Sequence, residues 1–265
     1  MAESRRISFV GAGNVATHLA NALYAAGCDI VDICARSIDS AQALAISTHA
    51  RAIDNPSEIN PDVDAVIIAA TDTSTPLIAS QLPPVRGFVA HTSGSVPLEA
   101  LSAHHGRAAV IYPLQTFSRD VYVDVAQVPF FTEATDEDTH LAADGIAGLL
   151  GDNVHHADSA ARVWLHIAGV FSCNFTVFML EQARQALRQV GLPIDTVRPL
   201  VDATVTKAFL SGPIAAMTGP ARRGDIATLR KQYDVLPSNI QKDIYKVVSD
   251  AILNTFHHEQ DSISS

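Results

Sequence analysis

The chain has 265 residues, 48% of them apolar and 17% charged, which excludes disorder, collagen and a coiled coil and leaves room for one large domain or two ordinary ones. Eighteen Lys and Arg against 28 Asp and Glu give a formal charge of −10, so a surface that reads nucleic-acid phosphates is not expected. Cys28, Cys34 and Cys173 are scattered and form no Cys-x-x-Cys pair, which excludes a disulfide framework and a zinc ribbon and suits a reducing compartment.

The polar start, Met1 to Arg6, lacks the charged-apolar-small order of a signal peptide, so a cytoplasmic protein is expected. Ile7–Val10 reads as a strand, Gly11-Ala12-Gly13 as a tight turn, and Asn14–Ala26 as a helix. Ile30–Cys34 is a second strand, Asp39–Ile46 a helix, Ala65–Ala70 a strongly apolar strand and Ser74–Gln81 a short helix. Further strands are expected at Gly87–Ala90, Ala108–Ile111 and Phe130–Thr132, with helices at Pro97–His104 and Glu137–Leu150. This alternation predicts an α/β, doubly wound parallel sheet over residues 1–157. From Asp158 onward strand patterns cease, and residues 158–265 are expected to form an all-α domain for substrate and dimerisation. Its helices are Asp158 to about Val190, capped by Asp158, then Asp195–Leu210, Asp225–Gln232 and Ser238–His257, before a fraying tail at 259–265.

Val163–Leu180 has no charged side chain and nearly the length of a membrane span. His166, Ser172, Asn174 and Thr176 interrupt it, and unpaired polar groups are costly in hydrocarbon, so burial by protein and no membrane contact are expected. Burial of such a helix on most sides needs more than one small helical domain, which predicts a homodimer.

Gly11-Ala12-Gly13-Asn14-Val15-Ala16 is a G-x-G-x-x-A turn between a strand and a helix. Gly11 permits the turn, Gly13 lets backbone approach a pyrophosphate, and the amides at Ala12, Asn14 and Val15 face the phosphates. Past the second strand stands Ala35-Arg36-Ser37 rather than a carboxylate, and a guanidinium with a hydroxyl suits a 2′-phosphate, so NADP(H) is expected. Asp32 argues for NAD(H) but lies within the strand. Thr71, Asp72 and His91 follow strands at the carboxyl edge, where they would line the cofactor, with Ser93 and Gln115 turned to a small-molecule substrate.

Gly11–Ala16, His91–Ser95, Tyr112–Phe117, His166–Gly169 with Asn174-Phe175, and Thr218–Asp225 together resemble the Rossmann-like oxidoreductases that carry the C-terminal domain of unknown function 2520. The resemblance covers nearly the whole chain and implies an N-terminal NADP-binding domain, a helical domain that pairs with its twin, and an active site in the cleft between domains. The wider superfamily looks like the β-hydroxyacid dehydrogenases, ketopantoate reductases and pyrroline-5-carboxylate reductases. Its dehydrogenase branch carries a lysine four residues before an asparagine; here the asparagine is Asn174 and the earlier position is Val170.

His166 is the nearest titratable substitute as proton donor, about 80° round a continuous helix from Asn174 and about 12 Å along it. His166 and Asn174 are the candidate catalytic pair, against the bland readings of a satisfied core histidine and an amide bridging two helices. Arg223 is a candidate for a substrate carboxylate, against an Arg223–Asp225 clamp at a helix start. The pairs His104-His105, His155-His156 and His257-His258 diverge from one another, and no metal is expected. The expected activity is reduction of a small carbonyl compound by hydride from NADPH. A 2-oxo acid such as ketopantoate is a candidate, with a cyclic imine, or a non-catalytic NADP(H)-binding sensor, as the alternatives.

Overall fold

The computed structural model describes residues 4–257; the expected tail at 259–265 and His258 lie outside them. Contacts group the chain into two compact units, Met1–Cys173 and Asn174–Ser265.

The first unit is built on strands β1 (Arg6–Val10), β2 (Asp29–Cys34), β3 (Arg51–Ile53), β4 (Ala65–Ile68), β5 (Phe88–His91), β6 (Ala108–Pro113), β7 (Phe130–Ala134) and β8 (Val154–His156). They form one sheet in the order β3-β2-β1-β4-β5-β6-β7-β8, parallel except for the antiparallel β6–β7 pair. Its helices are α1 (Asn14–Ala25), α2 (Ile38–Thr48), α3 (Thr75–Gln81), α4 (Glu99–Ser102), α5 (Glu137–Leu150) and α6 (Ser159–Gly169). The period of two along each strand sorts side chains between two cores. Ile7, Phe9 and Ile67 pack with Leu19 and Leu23 of α1 and Ile146 of α5, while Val10, Val66 and Ile68 pack with Ala79 of α3 and Leu101 of α4. The doubly wound expectation holds.

Strands β3 and β8 are absent from the sequence reading. Each has three residues, too few for an alternation to show. The strand expected over Ala65–Ala70 stops at Ile68, because Ala69 turns to lie against Gly11.

Helix α6, which opens the expected second domain, is tied to the first unit. Asp158 caps it as expected, accepting from the Ala161 amide at 2.7 Å. Arg162, completely buried, donates to the Glu133 carboxylate of β7 and to the Val96 carbonyl at 2.9 Å. A paired guanidinium is the one form in which so polar a side chain tolerates full burial.

A π-helical turn at Val170–Phe175 follows α6, so the helix expected from Asp158 to Val190 is not a continuous α-helix. The angular offset between His166 and Asn174 expected from α-helical geometry therefore does not apply. The second unit continues with α7 (Thr176–Arg188), α8 (Arg198–Ser211), α9 (Pro213–Ala216), α10 (Pro220–Arg223), α11 (Ile226–Asp234) and α12 (Asn239–His257). Its buried apolar cluster is Ala221, Leu229 and Leu253.

The charge-free run is not buried as expected. Trp164 is 72% exposed, Phe171 65% and Phe178 47%. By length and composition the continuous helical stretch Ser159–Arg188 could cross a membrane.

Candidate functional site

The glycine-rich turn is fixed by sterics. Gly11 has φ +122°, and a Cβ there would stand 2.1 Å from the Ala69 carbonyl oxygen, so any side chain forces the two strands apart. Its amide donates to the Cys34 carbonyl at 2.7 Å, which locks the turn to β2. Gly13 is different: a Cβ would meet no atom within 4 Å, so its backbone borders open space. Gly13 caps α1 without a side-chain bond, leaving the first amides of the helix facing that space. Fully buried Ala16 lets α1 sit close on the sheet. A groove of about 640 Å³ opens here, lined by Gly11–Gly13, Ala35–Ser37, Asp54 and Ala69–Thr71. The backbone cradle, the open face at Gly13 and the free helix amides fit a dinucleotide pyrophosphate.

At the β2 end of the groove the rival acid is already engaged. Asp32 is completely buried and accepts from Arg51 Nε at 2.7 Å, the Asn60 amide at 2.8 Å and Ser8 Oγ at 3.1 Å. Its carboxylate holds β1, β2 and β3 together. Arg36 is exposed on the rim and Ser37 caps α2, accepting from the Ser40 amide at 3.4 Å. Asp54 also lines the groove. The sequence reading passed over it, since Asp54 reaches the groove only through the short strand β3. Asp32 and Asp54, after burial itself, push the Cys34 thiol up to about 11, so this buried sulfur stays protonated.

At the carboxyl ends of β4, β5 and β6 lies a second set of groups. Thr71 begins a turn in which its hydroxyl meets Ser74 Oγ at 2.8 Å, and Asp72 accepts from Ser95 Oγ. Ser93 Oγ accepts from the Ser95 and Val96 amides, both at 3.1 Å. His91 lies beneath this loop with no exposed surface, its Nδ1 accepting from the Ser93 amide at 3.2 Å. Burial and then the Arg162 guanidinium push its pKa down to about 4, so the imidazole is neutral and holds the loop by accepting a bond.

Tyr112, in sequence one of the Tyr112–Phe117 residues that carry the family resemblance, has a contact that no motif announces. A Cβ on Gly94 would stand 2.6 Å from the Tyr112 ring, so the missing side chain lets the ring lie flat against the Ser93–Ser95 loop. The phenol oxygen stands 3.5 Å from His166 Nδ1. Burial, the Asp72 carboxylate and Cys173 raise the phenol's pKa, so it remains a proton donor at neutral pH. His166 is exposed, not a satisfied core histidine. No local pattern signals this pair, whose members are 54 positions apart.

The loop after β6 folds back on the glycine-rich turn. Asn14 Nδ2 donates to the Phe117 carbonyl at 2.9 Å, His18 Nε2 meets the Ser118 carbonyl at 3.0 Å, and Arg119 donates to the Ala12 carbonyl. Arg119 thus brings a guanidinium to the turn, unheralded by any motif. Val15 packs against the core beside Ala16, leaving only its backbone for a ligand. Gln115 is exposed and accepts from the Thr116 amide at 2.8 Å.

In the second unit, Asn174 is exposed within the π turn and Arg223 is exposed at the end of α10. Asp225 caps α11, accepting from the Thr228 amide at 3.1 Å and Thr228 Oγ1 at 2.7 Å. The Thr228 bonds and then the Arg223 charge hold the Asp225 carboxyl below its ordinary value, and the Arg223 guanidinium makes no hydrogen bond or ion pair among the described residues.

Two family models match separate stretches of the chain. The family model for shikimate/quinate 5-dehydrogenase matches residues 1–83, and that for the domain of unknown function DUF2520 matches residues 128–252. No curated protein matches the sequence. A Bacteroides fragilis protein provisionally described as an NADP oxidoreductase is 34% identical over 95% of this chain and 98% of its own, with a TM-score of 0.88. A 1-pyrroline-5-carboxylate reductase from Streptococcus pyogenes has the same fold at 14% identity, covering 95% of this chain and 98% of its own, with a TM-score of 0.65. An imine reductase from Myxococcus stipitatus, solved in complex with NADP+, does so at 15% identity, covering 95% and 92%, with a TM-score of 0.64. This chain belongs to the Rossmann-like oxidoreductases that carry the DUF2520 domain.

Proposed function

We propose that the protein is an NADP-dependent oxidoreductase that reduces a small carbonyl or imine compound. The observation that carries the cofactor assignment is the groove at the glycine-rich turn, whose β2 end offers Arg36 and Ser37 while Asp32 is spent on Arg51, Asn60 and Ser8. A 2′-phosphate is attracted by the guanidinium and accepts from the hydroxyl, and no carboxylate directly after β2 repels it. The amides of Ala12 to Val15 would hold the pyrophosphate, and Thr71 and Asp72 are the groups that would serve the ribose leading to the nicotinamide. When bound, NADPH supplies a hydride.

The protein's own chemistry is proton delivery and orientation. His166 donates a proton to the carbonyl oxygen or to the imine nitrogen as hydride reaches the carbon, and Tyr112 at 3.5 Å sets the ring's orientation and relays the proton. Ser93 and Gln115 orient the substrate in the first unit; in the second, Asn174 and Arg223 are each exposed, and the Arg223 guanidinium suits a carboxylate through two parallel bonds. A cyclic imine reaches the same site with less demand for a dedicated lysine, which suits Val170. We take a 2-oxo acid such as ketopantoate and a cyclic imine acid as the two substrate classes to screen.

A second copy covers the exposed face of Trp164, Phe171 and Phe178, making a cytoplasmic homodimer. The test of the whole reading is a fluorescence titration with NADPH and NADH, followed by turnover on 2-oxo acids and cyclic imines. Tight NADPH binding with turnover that His166→Ala abolishes supports it. NADPH binding without turnover on either class makes the protein a sensor, and failure to bind NADPH overturns the assignment.

A further inference from the structure

Far from the groove, on the edge of the sheet five strands along from β1, two histidines and an aspartate converge. His140 and Asp144 lie four residues apart on α5 and so share a face, and His156 ends β8. His156 Nε2 stands 2.8 Å from Asp144 Oδ2, and His140 Nε2 stands 3.9 Å from Asp144 Oδ1. The two imidazole rings are 4.0 Å apart, centre to centre, and one donor atom from each of the three residues lies within 4.8 Å of the others. Thr132 of β7 fixes the carboxylate from behind, donating to Asp144 Oδ1 at 2.7 Å, and stands 3.2 Å from His140 Nε2. The neighbouring His155 alternates to the other face, where it bonds Asn153 at 2.6 Å and stacks on Phe131.

The geometry points to a divalent-cation site of the zinc type formed by His140, Asp144 and His156. Two imidazoles and one carboxylate are a borderline ligand set that suits zinc; magnesium and calcium prefer oxygen alone. Ligand atoms about 2.0–2.1 Å from a tetrahedral zinc stand roughly 3.3 Å from one another, so rotation of the two rings closes the set without moving backbone. The fourth position falls to water or to the Thr132 hydroxyl. Thr132 is also the outer partner that orients the carboxylate, the role such residues play around metal ligands. The ion would staple the three-residue edge strand β8, which pairs with β7 alone, more firmly to α5. The adjacent-pair pattern hides the site because only one member of His155-His156 contributes.

The experiment uses the full chain, free of any affinity tag and stripped with chelator, titrated calorimetrically with zinc chloride and by visible absorption with cobalt(II). One ion bound per chain at micromolar or tighter affinity, a tetrahedral cobalt spectrum and a rise in Tm are the expected results. His156→Gln, at an exposed position, is expected to weaken binding at least about tenfold, a change of about 1.4 kcal/mol. The same variant keeps its NADPH affinity, and His155→Gln keeps the metal. Asp144→Asn should act as His156→Gln does. The absence of saturable binding, or binding that His156→Gln leaves intact, overturns the site.

Discussion

The two units solve the problem of burial differently. In the first, apolar side chains from every strand fill two cores on opposite faces of the sheet, and even the charged Asp32 and Arg162 are completely buried, each with a paired counter-charge. In the second, the buried apolar cluster is Ala221, Leu229 and Leu253, while Phe209 is 89% exposed and Leu210 83%. A fold that leaves residues of this size in water has burial still to gain, at about 1.5–3 kcal/mol for each large apolar side chain. The first unit thus fills two cores of its own, and the second leaves most of its large apolar side chains outside its small cluster.

The sharpest way to break this contrast is the double substitution Phe209→Asp with Leu210→Asp. Light scattering is expected to give the wild-type protein twice the chain mass of 28.2 kDa and the variant the single-chain mass. NADPH affinity should be nearly unchanged, because the groove is lined by first-unit residues. A wild-type monomer at micromolar concentration removes the contrast, since the exposed face would then be native.

Next in size is the buried pair of the first unit. Arg162→Ala leaves Glu133 without the guanidinium and the Val96 carbonyl without a donor. Removal of one partner of a buried ion pair costs about 3–5 kcal/mol, which should appear as a large fall in the urea midpoint. A fall below about 1 kcal/mol would show that apolar packing, not this guanidinium, attaches α6.

How far the sequence could be read follows the same division. The turn at Gly11–Ala16 and the strands flanking it are local and steric, so the pattern of residues states the structure almost directly. Asp32 could be placed within its strand but not discounted, because Arg51 and Asn60 reach it from a strand and a loop too short to detect. Apolarity in Val163–Leu180 was plain, yet apolarity says only that a surface wants cover and not which molecule covers it. The π turn leaves no trace in a hydrophobic period, and the Tyr112–His166 contact joins distant positions through the sheet. Arg162 looks in sequence like one more solvated charge.

The third test is the pH dependence of the first unit. His91 has a folded pKa of about 4 against an ordinary value of 6.5, so between these values the unfolded chain binds more protons. Stability from this group is present above pH 6.5 and is lost as pH falls toward 4. Integrated over that window, the loss from pH 7 to pH 5 is about 2 kcal/mol, read as a falling urea midpoint. His91→Gln should flatten this slope, and an unchanged slope would move its cause to other groups. The slope should persist in the Phe209→Asp, Leu210→Asp monomer, since His91 and the Arg162 guanidinium that opposes its charge both belong to the first unit.

The smallest effect concerns the rim of the groove and separates the cofactor assignment from the fold. Arg36 is exposed and carries no hydrogen bond among the described residues, so Arg36→Ala should leave Tm unchanged within error. Its guanidinium is the group offered to the 2′-phosphate, and its loss should lower the preference for NADPH over NADH by about tenfold, or about 1.4 kcal/mol. NADH affinity itself should hardly move, because that cofactor has no phosphate for Arg36 to meet. If both cofactors weaken equally, Arg36 acts through the general charge of the rim. If neither weakens, discrimination lies with Ser37 and the backbone of the turn, and the first unit's selectivity would be steric in origin.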